Sequence, residues 1–192
     1  MQRVLVPLAD GVEEMEATIV VDMLRRVPWH VLTAGLKPGV VTAARGTRLM
    51  PDNVWDKIDP GLFDMIVIPG GARGVEALRR DPRVVDAVRA HAGRGKLTAA
   101  VCAGPLVLQD AGLLVGRRAT CHPGQVADFT QAQRLDEPVV VDGNVVTSQG
   151  AGTTFAFALT LVALVEGEDK ARELAQAIVL APEELGRLGR KK

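Results

Sequence analysis

The segment Ala99-Ala100-Val101-Cys102-Ala103-Gly104-Pro105 leaves the chain few conformations. Leu97 to Val101 is an apolar run without alternation, as expected of a strand covered on both faces. Small residues after it permit a sharp reversal, and Pro105 suits a first helical turn, where its missing N–H costs nothing. Ala100-x-Cys102-x-Gly104 has the form of a nucleophile elbow, with cysteine in place of serine and alanine in place of the first glycine. Such a turn lifts a side chain out at the carboxyl end of a parallel sheet. Helix-terminal N–H groups beside it favour a thiolate, so a depressed thiol pKa is expected at Cys102.

Outward from this turn, apolar runs alternate with amphipathic ones. Arg3 to Leu8 reads as a first buried strand that Pro7 should bring to an end. Glu13 to Val27 reads as a helix, with Met15, Ile19 and Met23 repeating every four residues beside Val20, Leu24 and Val27. A second strand is expected at His30 to Ala34, and two short extended pieces around the turn at Arg45-Gly46. Asp64 to Ile68 is the next strand, stopped by Pro69-Gly70-Gly71. A helix capped by Asp81 follows, with Val84, Val85 and Val88 on its inner face. Asp142-Gly143-Asn144 between two valine-rich runs signals a hairpin, and helices are expected at Thr154 to Val165 and Asp169 to Ile178. Strand and helix in alternation imply an α/β protein with a doubly wound, mostly parallel sheet and a hairpin in its C-terminal half. Residues 1–181 read as a single domain and 182–192 as a flexible tail.

Composition narrows the function classes. Of 192 residues, 47% are hydrophobic and 24% charged, the balance of a globular chain. Basic and acidic residues number 23 each, so no cationic surplus points to nucleic acid. The apolar stretch Ala151 to Val165 is too short to cross a bilayer. Two cysteines, Cys102 and Cys121, make no disulfide scaffold and suit a reducing, cytoplasmic setting.

Other residues join Cys102 through the topology. Gly70-Gly71 follows a buried strand and could turn backbone N–H groups toward a developing oxyanion. The first loop, Ala9-Asp10-Gly11-Val12-Glu13-Glu14, lacks the dinucleotide fingerprint and carries carboxylates that repel phosphate, which argues against a nucleotide or flavin cofactor. Loops after different strands converge at the carboxyl ends, so Glu16 could reach Cys102; spacing alone does not choose it over Glu13 and Glu14. His122 is a further candidate, whereas His30 and His91 read as structural. No metal-ligand spacing is present, Cys121-His122 lacking companions.

Taken together, Gly11-Val-Glu-Glu-Met-Glu16, Val67-Ile-Pro-Gly-Gly71, Ala99 to Pro105, His122-Pro123 and Thr147-Ser-Gln-Gly-Ala-Gly-Thr153 resemble the ThiJ/PfpI superfamily. The similarity is to its Parkinson-disease-protein branch of protein deglycases and redox-responsive chaperones, and it runs from about Arg3 to Leu180. It implies a flavodoxin-like sandwich assembled as a homodimer, without cofactor or metal. Cys102 would be the nucleophile and oxidation-sensitive thiol, and Glu16 a protonated carboxyl hydrogen-bonded to its sulfur. His122 would be a nearby imidazole, Gly71 and Ala103 the oxyanion donors, and Arg45 an arginine near the site at the dimer interface. The implied activity is attack of Cys102 on methylglyoxal or glyoxal, or on their protein adducts, with release of lactate or glycolate. A peroxide-sensing chaperone using the same thiol is the alternative. Ala103 stands where the peptidase-like branch carries histidine, which weakens a peptidase reading, and Met50 stands where some relatives have a second cysteine.

Overall fold

The computed structural model describes residues 1–181; the tail expected at 182–192 lies outside the described residues. In chain order the strands and helices are β1 (Arg3–Leu8), α1 (Glu14–Arg26), β2 (His30–Gly35), β3 (Val41–Thr42), β4 (Arg48–Leu49), β5 (Asn53–Val54) and β6 (Met65–Ile68). There follow α2 (Ala72–Arg80), α3 (Pro82–Gly93), β7 (Leu97–Val101), α4 (Pro105–Asp110), β8 (Arg118–Ala119), β9 (Gln133–Arg134), β10 (Val139–Asp142), β11 (Val145–Ser148), α5 (Thr154–Glu166) and α6 (Glu168–Ala177). Seven strands form the main sheet in the order β10-β11-β7-β6-β1-β2-β5. All its pairings are parallel except the β10–β11 hairpin, the feature expected around Asp142-Gly143-Asn144.

The continuous apolar strands are explained by a core on each face. Val4, Val6, Met65, Val67, Ala99 and Val101 pack with α1, α5 and α6. The alternate residues Leu5, Ile66, Ile68 and Ala100 pack with α2, α3 and α4. Beyond Arg3 and Leu97 at their starts, the residues of β1, β6 and β7 are all buried, and period-two alternation has no reason to exist. α5 is buried around most of its circumference, with Phe157, Leu159 and Leu161 at 0% exposure.

Two local expectations change. β1 runs through Pro7 to Leu8, because β6 pairs only with Val4 and Leu5, and Pro7 lies beyond that ladder. In α1 the expected inner face holds for Met23, Val20, Leu24 and Val27, but Met15 is 54% exposed, and Glu16 and Ala17 take the buried places in the first turn.

Chain direction places the site. From β1 the chain moves to β2 on one side and later returns to β6 on the other, so β1 and β6 flank the switch point where a crevice opens at the carboxyl ends. α2 closes against the loop after β1 with almost no clearance. A Cβ on Gly74 would lie 2.7 Å from Val12 N and 2.9 Å from Val12 Cα. Alanine there would gain about 1 kcal/mol of helix propensity. Overpacking against immobile backbone costs about 1–3 kcal/mol and should win. Gly74→Ala is therefore expected to lower the denaturation midpoint, whereas a midpoint at or above wild type would show that the loop after β1 can shift away.

Candidate active site at Cys102

Four loops meet at the carboxyl ends of β1, β6, β7 and β11. Cys102 takes φ 65, a left-handed conformation rare for a residue with a side chain, and is the strained elbow that its sequence suggests. Neighbours fix it from both sides. Its N–H donates to Ser148 O at 2.9 Å, and its carbonyl accepts the His122 N–H at 2.9 Å. Gly104 is required beneath it, since a Cβ would fall 2.6 Å from Ile68 O and 2.8 Å from Val101 O.

Glu16 is the acid that reaches the thiol. It is 1% exposed and projects from the first turn of α1 in phase with Val20 and Leu24. Its Oε2 accepts the Gly70 N–H at 2.7 Å, and its carboxyl group is hydrogen-bonded to Cys102. Gly70 lies directly against both groups: a Cβ would come within 2.5 Å of Cys102 Cβ and of Glu16 Oε2. Gly71, at φ 90, would drive a Cβ to 2.2 Å from Gly11 O. The backbone N–H groups of Gly71 and Ala103 point at the Cys102 sulfur. The Gly70 N–H, expected to face an oxyanion, is instead committed to Glu16, which leaves the Gly71 and Ala103 N–H groups beside the sulfur.

His122 lines the same cleft of about 690 Å³, together with Glu13, Met15, Arg45 and Gln125. Its Nδ1 accepts the Gly124 N–H at 3.0 Å, so the neutral ring carries its proton on Nε2 and faces the cleft as a donor. Arg45 sits on the β3–β4 turn at the cleft mouth. Its guanidinium is 76% exposed and approaches Glu13 only to 3.9 Å. Glu14 accepts the Arg45 N–H and so anchors that turn. Cys121 is wholly buried against α4, where burial pushes its thiol up. His91, as expected, is structural, its Nε2 3.1 Å from Leu97 O. Among the described residues no group of three His, Cys, Asp or Glu side chains could hold a metal ion.

Electrostatics correct the expectation of an acidic thiol. Burial, the Glu16 charge and the hydrogen bond to Glu16 push Cys102 up to about 12, against the pull of the Gly71 and Ala103 N–H groups. Burial likewise pushes Glu16 up to about 7, with Gly70 and Cys102 opposing and the Glu13 charge adding to the rise. The two groups act as one acid, because two adjacent buried charges are prohibitive. One proton leaves near neutrality and the second only in strong alkali. The α4 helix, six residues long, contributes little field, and desolvation wins. The arrangement can therefore form a thiolate by passing the Cys102 proton to the Glu16 carboxylate.

Alkylation of Cys102 by iodoacetamide should consequently rise through an inflection near pH 7. Glu16→Gln should move that inflection above the ordinary thiol value of about 8.5; identical profiles would refute the shared proton. Stability carries the same signature. The folded-state pKa of Glu16 is raised, so the folded protein binds the extra proton, and stability falls as pH rises from the unfolded value of 4.5 through about 7. Wild type should lose about 3 kcal/mol relative to Glu16→Gln between pH 4.5 and 8 in urea titrations. His91, whose pKa is lowered by burial, contributes the opposite trend equally to both proteins.

Comparison with known proteins agrees with this geometry. The chain is 37% identical over 180 residues to the glutathione-independent glyoxalase DJR-1.2 of Caenorhabditis elegans, covering 93% of this chain and 95% of that protein. It is 36% identical over 166 residues to a deglycase of Pyrococcus abyssi, covering 85% and 99%. Protein DJ-1 homolog B of Arabidopsis thaliana is 37% identical over 180 residues; the match takes in 93% of this chain but 41% of that longer protein. The crystal structure of Drosophila melanogaster DJ-1beta superposes with a TM-score of 0.90 at 36% identity, over 94% of this chain and 98% of that one. The DJ-1/PfpI family model matches residues 2–164. With a flavodoxin-like sheet, a cysteine elbow at its switch point and these matches along most of its length, the chain belongs to the DJ-1/PfpI family.

Proposed function

We propose that this protein is a cysteine-dependent glyoxalase that converts methylglyoxal to lactate without glutathione and acts in the same way on glyoxal and on aldehyde adducts of proteins. The observation that carries this reading is the buried carboxyl group of Glu16 in hydrogen-bond contact with the Cys102 thiol. A nucleophile and a base meet at one point, and the carboxyl group titrates near neutrality. The names of the worm and archaeal relatives support the same chemistry.

The geometry assigns the steps. Glu16 carboxylate takes the Cys102 proton as sulfur attacks the aldehyde carbon, and the C=O electron pair moves onto oxygen. The Gly71 and Ala103 N–H groups receive that oxyanion, which lies beside the sulfur toward which they already point. Returning its proton to the oxyanion gives a neutral hemithioacetal and restores the Glu16 carboxylate. The carboxylate then removes the C1 hydrogen as a proton, leaving an enediolate with its charge on the C2 oxygen. His122 steadies the C2 oxygen by donating from Nε2, since Nδ1 is occupied by Gly124. Return of that proton from Glu16 to C2, with passage of the C1 hydroxyl proton to the C2 oxygen, yields a lactoyl thioester. Water, deprotonated by Glu16, cleaves it to lactate and the free thiol. Aldehyde plus water equals product acid, and no external electron donor is used.

Residues 1–181 are read as one catalytic domain on the strength of the single main sheet and its two cores. A homodimer is proposed with Arg45 near the contact, and a cytoplasmic location in keeping with two unbridged cysteines. Among the described residues, no helix is long and apolar enough to cross a membrane.

Lactate formation from methylglyoxal, in buffer free of glutathione, amines and added thiols, tests the mechanism. Cys102→Ala is expected to abolish it, and Glu16→Ala to reduce kcat by about 10²–10⁴-fold, the range for loss of a general base. Absence of lactate from folded, reduced wild type would overturn the enzymatic reading in favour of a peroxide-sensing thiol.

A further inference from the structure

Residues 120–132 leave the short β8–β9 ladder, pass the cleft with His122 and Gln125, and return. The start of the excursion is tied down by two bonds: Thr120 N–H to Thr147 Oγ1 at 2.9 Å and His122 N–H to Cys102 O at 2.9 Å. Beyond His122 the segment bonds mainly to itself. Gly124 N–H reaches His122 Nδ1, Gln125 N–H reaches His122 O, and Phe129 N–H reaches Gln125 O.

Among the described residues, one side chain from outside the 120–132 excursion hydrogen-bonds residues 123–131. Gln109, on α4 and 6% exposed, donates from Nε2 to Asp128 O at 2.8 Å. Its Oε1 accepts Thr130 N–H at 2.9 Å and Gln131 N–H at 3.2 Å. Only one orientation of the amide satisfies a carbonyl on one side and two N–H groups on the other. Phe129 is seated beside it, buried in the core that includes Leu106, Leu108 and Cys121. Exposed loops do not need a buried carboxamide, and a polar side chain in the core persists only when every bond is made. α4 begins just after the Cys102 turn, so the helix that carries this amide also supports the nucleophile.

We propose that Gln109 is a positioning residue: it latches residues 128–131 to α4 and thereby fixes the loop that presents His122 to Cys102. It touches no reacting atom and acts through the imidazole. The kinetic consequence rests on the glyoxalase reading above; the latch itself does not.

The test combines amide hydrogen exchange with a mutant cycle. Gln109→Leu should speed exchange at Thr130 and Gln131 by about tenfold or more, since both lose their acceptor, while β7 amides keep their protection. Gln109→Glu is the milder variant; it retains an acceptor oxygen, so Thr130 and Gln131 should stay closer to wild type. Iodoacetamide should label Cys102 in Gln109→Leu within about twofold of wild type, since the elbow's own bonds remain. With methylglyoxal, kcat should fall about tenfold in the wild-type background and less than about twofold in His122→Ala, the non-additivity expected of residues acting as a unit. Unchanged exchange at 128–131 would overturn the latch. Equal losses of kcat with and without His122, or a parallel loss of Cys102 labelling, would overturn its action through the imidazole. Should wild type make no lactate, the glyoxalase reading fails, and exchange together with the His122 ring NMR signal still decides the latch: a ring signal unmoved by Gln109→Leu would count against it.

Discussion

The site depends on one constraint: a carboxyl group and a thiol share a dry corner that tolerates a single negative charge. Glu16 is 1% exposed, Cys102 lies against it, and Gly70 closes the space to the exclusion of even a methyl group. Each anion would be expensive there alone, and both together more so. The result is a carboxyl group that holds its proton well above the ordinary carboxylate range, beside a thiol that burial also keeps protonated.

The fold makes that coupling cheap to hold. β1 and β6 part at the switch point, and the loops after them deliver Glu16 and Gly70 to the same place. β7 ends in the strained elbow, and β11 steadies it by accepting the Cys102 N–H at Ser148. Strain of order 1–3 kcal/mol at such a residue is sustained because hydrogen bonds and two apolar cores fix the backbone around it. Gly71, Gly74 and Gly104 are small for steric reasons, each with backbone atoms where a Cβ would sit.

Much of this was legible in the sequence, unevenly. Buried strands announced themselves as unbroken valine, leucine and isoleucine runs, and the hairpin by Asp142-Gly143-Asn144. The helix α2 was not evident, because Ala72–Arg80 is mostly polar and buries only Gly74, Val75 and Leu78. Strands β5, β8 and β9 have two residues each, too few to show a pattern. Spacing alone does not choose Glu16, because the apolar repeat begins at Met15, which is exposed. The phase of Glu16 with Val20 and Leu24 is the signal that picks it out. The rise in the thiol pKa was missed because local sequence shows a helix start but not the depth of burial, and Gln109 because a polar residue near the end of a short helix looks solvated.

The most direct measurement is infrared titration of the Glu16 carboxyl group, assigned by its absence in Glu16→Gln. The account predicts a protonated carboxyl band that persists to neutral pH and disappears with a midpoint near 7. A Glu16 already ionised throughout at pH 5.5, about one unit above the ordinary carboxyl range, would contradict the shared proton and the base role built on it.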